Sequence, residues 1–363
     1  MQPRKSPTVY DVAEHAGVSI ATVSRVLRTP EKVAEATRDR VHRSVHELGY
    51  VPNASARSLA GRSTGVLGLL IPGHDIPSGG RRPTDAPGSV EFLDDHDDSH
   101  ADPFHDRYFE RLVRGAEAAT WRAGYALLVA AGTSVSREMV LRDLTGRVDG
   151  LAVVSRTLPD DLVRRAARSV PLVLVAGAQP DVTDSVQVDN RGGMSALTRY
   201  VLEVKPPGPT LYLAGPPDSP DAAARELGFH DAVRATDGAW STAPADFTWQ
   251  GGHDAIVDRL RSTAPGAVIG ANDQSALGAL AALQEAGVRV PEECVVTGFD
   301  GIDESRYSRP ALTTVRQPTT ELGIRAAEAL LRRIAHPGSA PTHQQLPVDV
   351  LLRASSGARN RRA

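Results

Sequence analysis

The stretch GVSIATVSRVL, residues 17–27, decides how the rest of the chain is read. It opens with a glycine turn and continues as a short helix. Val23, Val26 and Leu27 recur at the helical period and form a buried face. Ala21, Ser24 and Arg25 point the other way, and Ile20 falls on the border between the faces. Ile20 therefore either closes a small core beside Val23 or touches something outside the protein.

The flanks give that helix a setting. TVYDVAEHA, 8–16, reads as a first helix: Thr8 caps it, Asp11 holds the capping-box position, and Val9, Val12, Ala13 and Ala16 form its apolar side. Gly17 ends it and Ser19 caps the next helix. ATRDRVHRSVHELGY, 36–50, reads as a third helix, with Val41, Val45 and Leu48 at i, i+4, i+7 and Gly49 behind them. Helix, tight turn, helix and supporting helix is the helix-turn-helix arrangement.

Charge agrees with it. The 363-residue chain has a net charge of −3, but residues 1–62 hold ten Lys/Arg and six Asp/Glu, a balance of +4 that leaves −7 for the rest. A basic head on an acidic body is a weak nucleic-acid signal. Hydrophobic residues at 41% and charged residues at 23% fit two or three globular domains that need no disulfide or metal staple. No apolar run reaches about 18 residues, so no membrane-spanning helix is expected. MQPRKSPTVYD at the start has basic residues with no apolar stretch behind them, so no secretory signal is expected either. Cys294, in the apolar run CVVTGF, reads as an inert buried thiol. The expected location is the cytoplasm, with the nucleoid.

After Gly65 the pattern changes to strand–helix alternation. VLGLLIP (66–72), YALLVAA (125–131), GLAVVS (150–155) and LVLVAG (172–177) are strand-length apolar runs, separated by helical segments 107–123, 136–146 and 159–169. TLYLAGP (210–216), AVIGAN (267–272) and CVVTGFD (294–300) alternate with helical segments 191–203, 221–235, 252–263 and 274–286. This alternation implies two parallel sheets with helices on both faces, and a ligand cleft at the carboxyl ends of the strands. Residues 73–103, rich in Pro, Gly and Asp, fit neither pattern. There DDHDDSHADPFHD places His96, His100 and His105 among aspartates, but without the spacing of a closed metal site. It reads as a solvated acidic loop, and no metal is expected. No GxGxxG opening a helix, P-loop or GxSxG elbow occurs, so neither an enzyme nor a cofactor is expected.

TVYDVAEHAGVSIATVSRVL, followed by VAEATRDRVHRSVHELGYVPNASARSLAG, resembles the DNA-binding head of the LacI/GalR family of bacterial repressors, nearly continuously from Thr8 to Gly61. VDGLAVVS, SVQVDNRGG, YLAGP, GFHDAV, ANDQSALGALAALQEAGVRVPEE, VVTGFDG and LTTVRQP extend the resemblance over most of the body. It implies an N-terminal all-α helix-turn-helix head with a hinge helix, then an α/β two-lobed body like periplasmic binding proteins. The head spans 1–51, the hinge helix 52–62, and the effector-binding and dimerisation domain 63–363. Within that domain the N-lobe covers about 63–188 plus about 317–340, and the C-lobe about 189–316 plus the C-terminal segment. Two stretches depart from the family. YVLEVKPPGPT replaces the usual His-Leu-x-x-Leu-Gly-His, and 73–103 is an insertion.

The resemblance implies a homodimer on pseudo-palindromic double-stranded operator DNA. The tail LLRASSGARNRRA has no leucine heptads for a tetramer. Family positions matching Ile20 and Ala21 read bases, Ile20 by apolar contact with a thymine methyl or a cytosine edge. Arg25 suits a bidentate pair with guanine, or a solvated surface. Tyr10, Ser19, Thr22, Ser24 and Thr37 suit phosphate oxygens, though such hydroxyls also suit helix caps. In PNASARSLAG, the position matching Leu59 is a minor-groove wedge, with Asn53, Ala56 and Arg57 at the same groove. The other reading packs Leu59 on the body.

For the effector, the resemblance nominates Arg225, Asn272, Asp300, Gln317 and Phe247, and more weakly Phe104, His105 and Ser155 of the first lobe. Trp249 is a nearby alternative to Phe247. Core packing competes as an explanation for Phe104 and Phe247, and a structural strand-end role for Asp300. The implied function is a repressor of carbohydrate-utilisation genes, with operator affinity controlled by a sugar-like effector. The alternatives are a corepressor-dependent regulator answering to a purine or other metabolite, and a ligand-binding protein with no DNA role.

Overall fold

Thr8 and Asp11 fix the start of the first helix. The Thr8 hydroxyl accepts the Asp11 N–H at 3.4 Å while the Asp11 carboxylate accepts the Thr8 N–H at 2.7 Å, opening α1 (Val9–Ala16). Gly17, at φ 63°, ends α1 in the left-handed region that a side chain resists. The Ser19 hydroxyl accepts the Thr22 N–H at 3.2 Å and caps α2 (Ile20–Arg28). A 3-10 turn, Pro30–Lys32, leads to α3 (Glu35–Leu48). Val12, Ala13, Ala16, Val23, Val26, Val41 and Tyr50 form the core of this head. The computed structural model describes residues 7–28, 30–50, 63–72, 107–132, 137–177, 179, 181–234 and 236–357. The chain divides into two compact units, 1–64 and 65–363.

The second unit holds two six-stranded sheets. The first is built from β1 (Val66–Pro72), β2 (Ala126–Gly132), β3 (Gly150–Val154), β4 (Leu172–Val175), β5 (Asp184–Val188) and β11 (His343–Leu346), in the order β11-β5-β4-β3-β1-β2. The second is built from β6 (Thr210–Ala214), β7 (Trp240–Pro244), β8 (Ala267–Gly270), β9 (Val295–Asp300), β10 (Thr313–Arg316) and β12 (Asp349–Leu351), in the order β12-β10-β9-β8-β6-β7. The first lobe carries α4 (Arg107–Arg122), α5 (Arg137–Thr145), α6 (Asp160–Ala167) and α12 (Thr319–Ala335). The second carries α7 (Asn190–Val204), α8 (Pro220–Val233), α9 (Trp249–Leu260), α10 (Asp273–Glu285) and α11 (Asp303–Tyr307).

The inner strands are apolar on both faces because helices cover both. In β3, Ala152 and Val154 join one core cluster and Leu151 and Val153 the other; in β8, Val268 and Ile269 divide in the same way. Helix pairs close at glycine notches. A Cβ at Gly115 of α4 would collide with the Thr320 carbonyl of α12, and one at Gly278 of α10 with the Trp249 carbonyl of α9.

The chain crosses between lobes three times, from β5 to α7, from β10 to α12, and from β11 to β12. The last crossing explains a difference in direction. β11 runs parallel to β5 toward the cleft, so β12 enters the second sheet from the cleft and runs antiparallel to β10. β11 also corrects one expected boundary. Its ladder with β5 carries the first lobe's returning segment to 346, past the limit near 340.

Candidate ligand cleft and nucleic-acid interface

Among the described residues, five non-glycines have positive φ: Arg156 (68°), Ala176 (59°), Asp246 (51°), Phe247 (63°) and Asp300 (116°). Each lies at or just beyond the carboxyl end of a strand, namely β3, β4, β7 or β9. Strained backbone at this edge of both sheets marks the cleft independently of any motif.

Arg225, on α8, is the hub of the second lobe's side of the cleft. Its side chain is 4% exposed. Nε donates to Asn190 Oδ1 at 2.8 Å, and Nη1 donates to the Ala271 carbonyl at 2.7 Å and to Asp300 Oδ1 at 3.1 Å. The guanidinium lies 3.9 Å from the Phe299 ring centre and 5.5 Å from that of Phe247. Gln317 Nε2 donates to Asp300 Oδ1 at 2.6 Å, while its buried Oε1 has no hydrogen-bond partner. Asn190 and Gln317 flank the first and second interlobe crossings, so the hub is tied to the segments that link the lobes.

Two carboxylates bear on this guanidinium, Asp300 by a direct bond and Asp221 through its charge, and a third, Asp273, stands close to Asp300. Asp221 accepts from Asn190 Nδ2 at 2.8 Å; burial raises its carboxyl above the ordinary range, against the opposing pulls of Arg225 and Asn190. Asp273 is fully buried. Burial, and then the negative charge of Asp300, push it up to about 8, although the Thr314 hydroxyl and the Ile302 and Gly301 N–H groups pull the other way. Asp273 Oδ2 accepts the Gly301 and Ile302 N–H groups at 2.8 and 2.9 Å, which fixes the loop behind Asp300.

The structure thus brings Arg225, Asp300, Gln317 and Phe247 together. Asn272 joins them as a brace: Oδ1 accepts from Ser275 N at 2.9 Å to cap α10, and Nδ2 donates to the Phe247 carbonyl at 2.9 Å. Phe247 is half-buried, its ring lying over Gly215, where a Cβ would collide with it. Trp249 instead stacks on His253 of its own helix at 5.1 Å. Ser155 sits just past β3, its N–H donated to the Val175 carbonyl at 2.8 Å. Phe104 and His105 lie outside the described residues, with the 73–103 insertion. Asn190, Asp221, Asp273 and Phe299 are absent from the sequence-derived set. Two local signals pointed to them: Asp221 stands one helical turn before Arg225, and Asp273 follows Asn272 directly. Among the described residues, no group of three or more His, Cys, Asp or Glu could hold a metal ion, and no helix is long and apolar enough to cross a membrane. Cys294 is fully buried, and burial pushes its thiol up to about 12.

In the head, Ile20 is 40% exposed and takes no place in the core around Val23. Ser19, Ala21, Arg25 and Tyr10 are exposed, and Thr22, Ser24 and Thr37 are half-buried. The Ser19 and Thr22 hydroxyls also meet each other at 2.9 Å. One face of α2 is therefore a packed valine stripe, and the other offers an apolar, a small and a cationic side chain. Asn53, Ala56, Arg57 and Leu59 of the expected hinge lie outside the described residues.

The sequence profile of the bacterial regulatory proteins, lacI family, matches residues 8–53, and that of the periplasmic binding protein-like domain matches 211–356. The HTH-type transcriptional regulator CelR of Thermobifida fusca is 30% identical over 365 residues, covering 98% of this chain and 100% of the relative. The solved complex of the transcriptional regulator CelR with cellobiose superposes with a TM-score of 0.65 at 28% identity, covering 96% of this chain and 99% of that one. The lac repressor dimer bound to operator and the anti-inducer ONPF superposes with a TM-score of 0.78 at 25% identity, covering 98% of this chain and 100% of that one. A helix-turn-helix head, a two-sheet body and full-length relatives lead to one conclusion: the chain belongs to the LacI/GalR family of DNA-binding transcriptional regulators and is not an enzyme.

Proposed function

We propose that the protein is a dimeric repressor whose operator affinity is set by an uncharged, sugar-like effector held in the cleft against Arg225. The hydrogen-bond pattern at the cleft carries the effector reading. Arg225 is 4% exposed and spends its donors on Asn190, the Ala271 carbonyl and Asp300, so its charge is already met within the protein. That pairing, with an orphan acceptor at Gln317 Oε1, suits hydroxyl donors better than an anion. CelR, solved with cellobiose, supports the same class. On the DNA side, Ile20, Ala21 and Arg25 read bases, the hydroxyls of Tyr10, Ser19, Thr22, Ser24 and Thr37 meet phosphates, and Leu59 wedges the minor groove with Asn53, Ala56 and Arg57 beside it.

Selection of bound duplexes from a random library tests the DNA reading. A near-palindrome with a deformable central step supports it, and no enrichment with or without metabolite extract overturns it. Calorimetric titration with neutral mono- and disaccharides, repeated with Arg225→Ala, tests the cleft. Binding that the variant loses is the expected result, whereas binding only of anionic metabolites refutes a sugar site. Repeating the titration with operator present gives the sign of the coupling, which linkage makes reciprocal. Leu59→Ala weakens operator binding and spares the effector if the two roles are separate.

A further inference from the structure

Two arginines of the first lobe reach the second lobe outside the Arg225 cluster. Arg111, on α4, donates to Asp303 Oδ1 at 2.6 Å and to the Gly301 carbonyl at 3.3 Å. Arg156, just beyond β3, pairs with Asp218, just beyond β6, at 2.9 Å. Arg156 does so from a left-handed backbone, φ 68°, which a non-glycine side chain disfavours.

The Arg111 contact falls on a segment with another duty. The Gly301 peptide is held from both lobes: its N–H goes to Asp273 in its own lobe, and its carbonyl accepts from Arg111 in the other. Asp300, the residue before it, is the carboxylate held by Arg225 and Gln317. Residues 300–303 therefore carry both the cleft-facing carboxylate and the acceptors for the opposite lobe. A ligand that moves Asp300 must also move the groups that Arg111 grips.

We propose that Arg111 and Arg156 are latch residues. They hold the lobes closed over the Arg225 cluster, and segment 300–303 couples cleft occupancy to that closure. Neither arginine belongs to the Arg225 cluster, so both act as positioning residues. The inference rests on the cleft being the effector site, but it concerns closure of the chain without any ligand. Both pairs are partly exposed, with Arg111 and Arg156 at 32% and 37%. Each is therefore worth a surface ion pair, about two- to fivefold in the closed-to-open ratio, and weakens with salt.

The test measures closure directly in the full chain. The only native cysteine, Cys294, is buried, so spin labels go to cysteines introduced at the exposed Trp121 on α4 and Leu227 on α8. Labelled chain is mixed with excess unlabelled chain, and pulsed spin-resonance distances are recorded without ligand. Arg111→Met and Arg156→Met each move population toward longer distances by about two- to fivefold, the double variant moves it further, and high salt moves the wild type the same way. Arg111→Lys restores part of the closed population. An unchanged distribution in a double variant that melts like the wild type overturns the latch. Should the double variant fail to fold, Asp303→Asn and Asp218→Asn replace it, and an unchanged distribution there overturns the latch equally. Because no sugar is present, a failed titration refutes the effector reading without altering this result.

Discussion

The two lobes share one strand order and solve the burial of acidic side chains in opposite ways. In the first lobe, Asp184 at the head of β5 is fully buried and receives Arg332 Nη2 at 2.8 Å and Arg333 Nε at 2.6 Å from α12, together with the Thr342 N–H at 2.8 Å. Burial alone would raise its carboxyl; the bonds from Arg333 and Thr342 outweigh that and hold it below the ordinary range. In the second lobe, Asp221 and Asp300 share Arg225, Asp273 feels the negative charge of Asp300, and burial prevails at Asp221 and Asp273. Two cations on one carboxylate make a rivet, whereas two carboxylates on one cation, with a third close behind, make a cluster in which burial governs protonation. The first arrangement joins β5, β11 and α12. The second lies beneath the cleft.

Substitution at the two aspartates gives the widest contrast. Asp184→Asn leaves two arginines without their buried partner and is expected to cost about 3 kcal/mol or more. Asp273→Asn copies the protonated form without the proton uptake and is expected to leave stability unchanged or raise it at neutral pH. Urea unfolding of both variants checks the pair, and equal losses would erase the distinction between rivet and cluster.

The glycine notches probe where the lobes are alike. Alanine in place of a helical glycine normally gains up to about 1 kcal/mol. At Gly115 and Gly278 the new Cβ meets a backbone carbonyl of the partner helix, which cannot rotate away. Gly115→Ala and Gly278→Ala should each instead lose about 1–3 kcal/mol. A loss in one lobe only, read from melting curves, would show that the helix pairs are not equivalent.

The pH dependence sharpens the contrast further. Asp273 keeps its proton in the fold up to about pH 8, whereas an unfolded aspartate releases it near pH 4. The unfolded state binds fewer protons across that window, so this residue makes stability fall as pH rises from about 4 to about 8. Asp184 is depressed, so its contribution is present above the unfolded value and disappears as pH falls through the folded one. Unfolding midpoints measured across this range should show Asp273→Asn removing the alkaline slope and Asp184→Asn removing an acid one. The reverse assignment would invert the comparison.

The smallest expected effect lies away from the cleft. His253 Nε2 meets Glu285 at 3.0 Å, and that bond raises the imidazole above its ordinary value. Its stabilisation is present below about pH 6.5 and disappears as pH rises through the higher folded value. Glu285→Gln should remove a few tenths of a kcal/mol below that point and nothing well above it. The difference in melting temperature between acidic and alkaline buffer reads it out.

Particular residues show how much of this was legible. The capping box of Thr8 and Asp11, the glycine ends at 17 and 49, and strand β1 at 66–72 follow from local pattern. β7, β11 and β12 did not, because sheet-edge strands are half exposed, and WSTAP, HQQL and DVL carry little apolar signal. β5 and β10 were hidden by polar residues such as Gln187 and Thr314. At the cleft, Arg225, Asp300 and Gln317 came from the family resemblance. Asn190 did not, and Asp221 and Asp273 were marked only by their places beside Arg225 and Asn272, since local spacing does not say which residues meet across the fold.

The sequence by itself determined the helices of the head, the apolar inner strands, the division into head and two lobes, and the apolar stripe of α2, because helical and strand periods, caps and turns are local properties. Only the tertiary structure decided that Ile20 faces outward, that Asp221 and Asp300 share one guanidinium, and that Arg111 grips the peptide next to Asp300. The last two facts depend on which strand ends the three crossings bring together. They depend also on how much water is excluded there; burial that raises Asp273, and the bonds from Arg333 and Thr342 that lower Asp184, are long-range quantities.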